Sequence, residues 1–428
     1  MKNVVIVSGA RTAIGAFGGI FKDVSAIDLG ALVMGEVLRK INLKPVPGPV
    51  QREIAPDTLK NIGQIDLEKN AYKFSPGAKE IVIDETIMGN VLQAGQGQNP
   101  GRQAAIFAGI PKEAPGCTIN KVCGSGLKAI AMGAQAIMTG QSDIVIAGGM
   151  ENMTQAPMAL QKARFGYRME ISGKGDIYDL MVYDGLYEKF NGYHMGITAE
   201  NIASLYKISR EEQDKLGVMS HQRALKAMKD GLYNDEIVPV IVSSKKGDLV
   251  LDKDERPMET SLEKMAQMKP AFKKDGTVTA ANASGINDGA AAVLLMSEEK
   301  AQVMGLKPIV KIKAFATDGV DPAYMGLGPV PAVRRALKFA GMTIKDLKMV
   351  EINEAFASQA IGCFREFGLD NEFPNQLGSG ISLGHPIGCT GARMVVTAMY
   401  QMKRQNIATS VVSMCIGGGM GMAMILER

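Results

Sequence analysis

Two cysteines and one histidine are the side chains best placed to do covalent chemistry in this chain. Cys123 stands in Asn120-Lys-Val-Cys-Gly-Ser-Gly126, between a β-like run and a helical apolar repeat. A thiol at a helix N-terminus faces unpaired N–H groups and the positive end of the dipole, both of which favour the thiolate. The reference thiol value is about 8.5, so even a small downward pull raises the reactive fraction at neutral pH. Glycines on both sides of Ser125 let backbone and ligand approach closely. An inert core cysteine is the commoner fate of a single Cys, and position alone leaves the two readings level. Cys415 ends a strand-like run just before Gly417-Gly-Gly-Met-Gly421. Amides there, with no Cβ in front of them, can face an oxyanion; the same glycines also make a plain hairpin turn into Met422–Leu426. His385 lies in Gly384-His-Pro-Ile-Gly388, where proline and the flanking glycines hold the ring in a tight loop. A thiol nucleophile, an activating imidazole and glycine amides together suit covalent acyl transfer, without naming a substrate.

The remaining candidates have blander readings. Cys117, Cys363 and Cys389 are expected in the core, the last two within helical apolar patterns. His221, in Ser220-His-Gln-Arg, is expected on an exposed helix, and His194, in Tyr193-His-Met-Gly196, is intermediate. Asn353, in Val350-Glu-Ile-Asn-Glu-Ala-Phe356, sits where a strand gives way to a helix and reads as an N-cap. No pair of Cys or His has ligand spacing, so a metal site is not expected.

The elements that must position these residues alternate. Short β-branched runs recur at Val4–Val7, Ile81–Ile83, Asp143–Ala147 and Val411–Ile416. Between them lie helical periodicities, such as Leu127, Ile130, Ala131, Ala134, Ile137 and Met138 on one face after Cys123. That alternation predicts an α/β chain with largely buried sheets. An internal echo predicts two related halves: a glycine-flanked cysteine opens a helix at 123–126 and again at 388–391, and each helix is followed by a strand and a Gly-Gly-Met turn. Residues 156–286 are richer in charge and polar turns, as expected of an excursion that carries a binding surface. Lys44-Pro-Val-Pro-Gly-Pro49 stiffens a connection and blocks a helix there, and the amphipathic stretch Arg52–Phe74 follows; 42–80 reads as a surface insertion.

Composition excludes several classes. At 428 residues, roughly three units of about 150 residues are expected. Hydrophobic residues at 46% and charged residues at 21% fit a globular chain with a sizeable core. A net charge of +4 is too small for a dedicated nucleic-acid binder. There is no Trp, which excludes indole stacking, and no apolar run approaches the roughly 18 residues of a membrane span. The start reads as a first strand and not a signal peptide. Five cysteines are too few and too odd in number for a disulfide framework, so a reducing cytoplasm is expected.

Taken together, these motifs resemble the signatures of the thiolase family. Asn120–Ala129, Asn353-Glu-Ala-Phe-Ala357, Gly384–Gly388 and Cys415–Gly421 occur in family order, with Gly148-Gly-Met-Glu-Asn152, His194–Asn201 and Asn282–Asp288 between them. The short-chain, acetoacetyl-CoA type is the nearest. The resemblance implies two similar βαβαβαββ halves in a layered α/β/α/β/α core: 1–155 completed by 287–307, and 308–428, with 156–286 as a loop domain that binds CoA. It implies reversible Claisen condensation of two acetyl-CoA to acetoacetyl-CoA and CoA, and the reverse thiolysis, with a broader 3-ketoacyl-CoA thiolase as the alternative. Carried over by position, Cys123 holds the acetyl group, His385 takes its proton, and Cys415 is the acid/base. Asn353 holds a water that forms one oxyanion hole with His385, and the amides of Cys123 and Gly417 form the other. His194 and Met195 border the acyl and pantetheine pocket, Ser284 contacts pantetheine, and Phe272, Phe356 and Met325 wall the tunnel. Arg256 stands in for an arginine that stacks on the CoA adenine. No cofactor is implied, since CoA thioesters are substrates, and the assembly implied is a homotetramer, a dimer of dimers. A ketoacyl-carrier-protein synthase pairs its cysteine with two histidines, or His and Asn, and lacks the second cysteine, so Cys415 argues against it.

Overall fold

Nine consecutive buried residues, Val4–Thr12, form the first strand, β1, in a computed structural model of the protein. A strand covered on both faces needs no polar alternation. The structure describes residues 1–60, 62–69, 71, 73–169, 175–245 and 247–428. After β1 come α1 (Ala26–Arg39), β2 (Glu85–Gly89), α2 (Pro100–Phe107), β3 (Gly116–Ile119), α3 (Ser125–Met138) and β4 (Ile144–Asn152). A long excursion carries α4 (Met195–Leu205) and α5 (Arg210–Lys229), and the chain returns as β5 (Asn287–Ser297). The remainder is β6 (Val310–Gly319), α6 (Pro329–Ala340), β7 (Met349–Ile352), α7 (Ala357–Phe367), α8 (Thr390–Gln405), β8 (Thr409–Ile416) and β9 (Met420–Glu427).

The sheet runs β7-β8-β9-β6-β1-β5-β4-β2-β3. Read outward from the centre, each half places its first strand beside its last, then the penultimate, then the second. This is the common winding that the sequence echo predicts. The halves join where β1 meets β6 antiparallel, Val5 opposite Lys311 and Ile6 opposite Val310. Beyond β7, at the place β3 holds beside β2, a single residue completes the edge. Asn375 donates from its N–H to the Val350 carbonyl at 3.0 Å and from Nδ2 to the Ile352 carbonyl at 2.8 Å, and its Oδ1 accepts from the Ile352 N–H at 2.9 Å.

Three apolar cores separate five layers. α1 and α2 cover the outer face of the first half, α6 and α7 cover that of the second, and α3 and α8 fill the space between the halves. The predicted face of α3 is the buried one, Leu127, Ile130, Ala134 and Ile137, and α8 is buried all round from Thr390 to Met402. The two central helices meet at their first turns. A Cβ on Gly391 would lie 2.5 Å from the Leu127 nitrogen, and one on Gly126 would lie 2.9 Å from the Ala392 nitrogen.

The segment between α1 and β2 departs from one expectation. Pro49 does not block a helix but opens a short one, Pro49–Glu53, at its first position, where a missing N–H costs nothing. Among the described residues Arg52–Phe74 holds the end of that helix and Asp66–Lys69, with residues 61, 70 and 72 outside the description. Leu43–Pro45 pairs in parallel with Lys79–Ile81, so the chain leaves and re-enters side by side. Glu68 ties the excursion down by accepting from the Lys112 N–H at 2.5 Å. No helix among the described residues is long and apolar enough to cross a membrane.

The glycine contact carries a stability prediction. Gly391→Ala forces backbone against backbone and lowers stability by about 1–3 kcal/mol, read as a lower urea midpoint. Gly77→Ala, which meets nothing within 4 Å, leaves the midpoint unchanged.

Candidate active site

Cys123 projects from a strained turn between β3 and α3. Val122 has φ of +46°, in the left-handed region that a β-branched residue rarely enters. Side-chain bonds hold it there. Asn120 Oδ1 accepts from the Val122 N–H at 2.9 Å, while Ser125 Oγ accepts from the Lys121 N–H at 2.8 Å and donates to the Val122 carbonyl at 2.7 Å. Strain fixed by surrounding bonds is characteristic of functional positions.

The expected thiolate at a helix N-terminus is not what the structure places there. α3 starts at Ser125, and burial pushes the Cys123 thiol up to about 11. The amides of Gly417 and of Cys123 itself pull the other way, favouring negative charge on the sulfur. Desolvation outweighs those dipoles, so the resting group is a thiol that needs a base.

His385 carries an unprotonated ring nitrogen. Thr390 Oγ donates to the Pro386 carbonyl at 2.9 Å, so it accepts from His385 Nδ1 at 2.7 Å. The imidazole proton therefore sits on Nδ1, and the Nε2 lone pair faces the Asn353 Nδ2 donor at a long 3.5 Å. Burial, assisted by Arg393, lowers His385 to about 3 and keeps the ring neutral. Its loop is fixed by Asn287, whose Oδ1 accepts from the His385 N–H at 3.1 Å. Gly384 has φ of +101°, and a Cβ there would lie 2.3 Å from that same oxygen. Asn353 is not an N-cap: α7 begins at Ala357 after Phe356. Its N–H donates to the Ser413 carbonyl at 2.9 Å, and its buried Oδ1 has no partner among the described residues.

Cys415 lies near the end of β8, opposite Gly421 of β9. Burial raises its thiol well above the ordinary range, and the neighbouring sulfurs of Cys123 and Cys363 add to the shift. Gly417 follows in the hairpin. A Cβ at Gly417 would lie 2.9 Å from Met195 Cε, and Gly418 and Gly419 have φ of +84° and +78°.

His385 lines a cavity of about 570 Å³ together with His194, Phe272, Ser284, Phe356 and Ile387. Both thiols sit in the packed clusters that form its inner wall: Cys123 with Met153, Leu186 and Ile387, and Cys415 with Met195, Met325, Phe272 and Phe356. His194 caps α4, its Nδ1 accepting from the Gly196 N–H at 3.1 Å, and stacks on Phe272 with centroids 4.6 Å apart. Phe272 meets Phe356 edge to face at 6.2 Å. Ser284 is held by its N–H on the Ala355 carbonyl at 2.9 Å. Arg256 lines the cavity, but its guanidinium is spent on the carbonyls of Ile381, Ala280 and Ala283, so it braces the wall.

Two further expectations are corrected. His221 is buried, not exposed; its Nδ1 faces the Met258 N–H at 3.4 Å, and burial beside Arg256 lowers it to about 4. Cys117 is half-buried on β3, while Cys363 and Cys389 are in the core as expected. Sequence reasoning missed Thr390 and Asn287, which set the tautomer and the loop of His385. The signal for Thr390 was its place at the first position of α8, five residues after His385.

A cysteine with a glycine amide directed at it, a second thiol close by and a neutral histidine lining the adjoining cavity, in a doubled five-layer α/β fold, fit a class of enzymes that work through a covalent thioester. Residues 4–52 and 58–299 match the family described as Thiolase, N-terminal domain, and residues 306–428 match Thiolase, C-terminal domain. An acetyl-CoA acetyltransferase of Syntrophomonas wolfei is 49% identical over 428 residues, covering 100% of this chain and 99% of that one. The crystal structure of the Bacillus anthracis acetyl-CoA acetyltransferase superposes with a TM-score of 0.88 at 39% identity, covering 100% and 99% of the two chains. The Syntrophomonas wolfei structure gives 0.87 at 40%, with both chains covered completely. The chain belongs to the thiolase family.

The raised thiol predicts a pH profile. Alkylation of Cys123 by iodoacetamide increases with pH, without a plateau between about pH 8 and about pH 10, because the thiolate fraction climbs until the pH passes the thiol value. A plateau near neutrality in the rate of labelling at Cys123, mapped by mass spectrometry, would contradict this.

Proposed function

We propose that this chain is an acetyl-CoA C-acetyltransferase, condensing two acetyl-CoA to acetoacetyl-CoA and CoA and catalysing the reverse thiolysis. The observation that carries the reading is the pairing of two thiols, Cys415 close enough to Cys123 for the charge on one sulfur to be felt by the other and the Gly417 amide directed at Cys123, with a neutral His385 lining the adjoining cavity. In the first step the Cys123 sulfur attacks the thioester carbon while its proton passes to His385 Nε2. The carbon–sulfur bond to CoA then breaks, and the departing CoA thiolate takes the proton of Cys415. In the second step the Cys415 thiolate removes an α-proton from another acetyl-CoA. The resulting carbanion attacks the acetyl carbon, the bond to Cys123 breaks, and His385 returns its proton to Cys123. Charges balance throughout: the histidinium and the Cys415 thiolate arise together and vanish together.

Negative charge develops on a carbonyl oxygen in both steps, so two donor sets are required. The amides of Cys123 and Gly417 serve one of them. A water donating to Asn353 Oδ1, together with His385, serves the other, a reading supported by that oxygen's lack of a partner among the described residues. His194 and Met195 border the acyl group, Ser284 contacts pantetheine, and Phe272, Phe356 and Met325 wall the tunnel, with residues 156–286 as the CoA-binding domain between halves 1–155 plus 287–307 and 308–428. The reaction uses no cofactor. Cytoplasmic residence and a homotetramer complete the proposal; exposed Phe165 and Met169, at 88% and 91%, are apolar surface of the kind assembly covers.

CoA-dependent cleavage of acetoacetyl-CoA, run beside a longer 3-ketoacyl-CoA, tests the substrate. Wild type is expected to cleave the short substrate at least about tenfold faster, a difference of about 1.4 kcal/mol, and Cys123→Ala neither. Equal rates would instead favour the broader 3-ketoacyl-CoA thiolase, for which Met153, Leu186 and Ile387 beside Cys123 offer apolar room.

A further inference from the structure

Glu151, the eighth residue of β4, is fully buried and points between the two loops that carry the chemistry. Its four acceptor positions are all filled by N–H groups. Oε1 accepts from Asn90 Nδ2 at 2.7 Å and from the Leu92 N–H at 3.2 Å, and Oε2 accepts from the Val91 N–H at 3.0 Å and from the Gly388 N–H at 2.9 Å. Val91 and Leu92 pack against Cys123 and Ile387, and Asn120 Nδ2 donates to the Val91 carbonyl at 3.4 Å, so this segment backs the nucleophile's turn. Gly388 belongs to the other half of the molecule. It lies three residues after His385 and two before Thr390, and a Cβ there would lie 2.6 Å from Glu151 Oε2. One carboxylate thus ties the support of the nucleophile to the support of its base.

We propose that Glu151 is a positioning residue: as a carboxylate it locks the segment behind Cys123 to the His385 loop, and its protonation loosens that lock and slows acyl transfer. The proposal rests on the acyl-transfer reading of Cys123. A protonated carboxyl carries an O–H where an N–H already points, so at least one of the four bonds is lost. Desolvation lifts Glu151 to about 7 in spite of its amide donors, with the charge of Asp288 adding to the shift. The groups facing it are Asp288 on β5, Cys123 in the turn and Cys389 beyond Gly388; Asn90, Val91 and Leu92 bring none. Because the raised group is an acid, the lock is intact above neutrality and is lost as the pH falls through about 7. His385 at about 3 and Cys123 at about 11 lie outside that window; Glu351, raised to about 8 by burial and facing Arg393, is a second buried acid near it, and the Glu151 and Asn90 variants separate the two.

The test is acetoacetyl-CoA thiolysis from about pH 5 to about pH 9, with kcat and KM separated and turnover of the wild type as the reference. Glu151→Gln keeps the shape but cannot ionise. It is expected to lose about tenfold to a hundredfold in kcat, as for a lost hydrogen bond to a charged group, with KM within about twofold and no acid limb near neutrality. Asn90→Ala removes one donor from the carboxylate and is expected to move the acid limb to higher pH. A folded Glu151→Gln with wild-type kcat and a wild-type limb would overturn the proposal. If that variant does not fold, an unshifted limb in Asn90→Ala overturns it. Absence of cleavage by wild type would instead refute the acyl-transfer reading itself.

Discussion

The contact between the first turns of α3 and α8, glycine against backbone at Gly126 and Gly391, sets the separation of everything that reacts. Cys123 stands two residues before α3. Thr390, which orients His385, opens α8. Any side chain at either glycine would press on the backbone of the other helix. The duplicated winding of the two halves exists, in this view, to bring two helix starts from different halves face to face. Asn287 reinforces the arrangement from β5, bonding to the Gly15 carbonyl at 2.9 Å through Nδ2 and to the His385 N–H through Oδ1.

Burial then decides the electrostatics of the resting site. It lifts both thiols and depresses the histidine, so the three groups are neutral before substrate arrives. A neutral site binds an uncharged thioester carbonyl without unpaired charge to desolvate. The same low-dielectric surroundings strengthen the fixed amides of Cys123 and Gly417 once an oxyanion develops. A helix-terminus argument for a thiolate at Cys123 misses this, because it weighs a dipole worth about 1 kcal/mol or less against full desolvation of a sulfur anion.

Local signals made much of this legible from the chain alone. The apolar stripe of α3, the glycine turn between β8 and β9 and the tight loop of His385 are short-range patterns that stand where the sequence places them, whereas Gly148-Gly-Met150, read as a matching turn, runs on inside β4. What was not legible depends on contacts across long separations. His221 looked exposed because its helix is polar, yet Met258 and Arg256 cover it from a distant turn. Asn353 looked like an N-cap because the helix was placed to start too early. Arg256 was read as reaching for a nucleotide, while the carbonyls that occupy it come from residues 280, 283 and 381. Glu151 gave no sign beyond its place in Gly148-Gly-Met-Glu-Asn152, since its donors come from residues 90–92 and 388.

The most direct measurement is the location of the acyl group after rapid mixing with acetyl-CoA and acid quench, mapped by mass spectrometry in wild type, Cys123→Ala and Cys415→Ala. The account predicts an acetyl adduct on Cys123 in wild type and in Cys415→Ala, none in Cys123→Ala, and no condensation product from Cys415→Ala. An adduct on Cys415, or condensation by the Cys415→Ala variant at the wild-type rate, would contradict the division of labour between the two thiols.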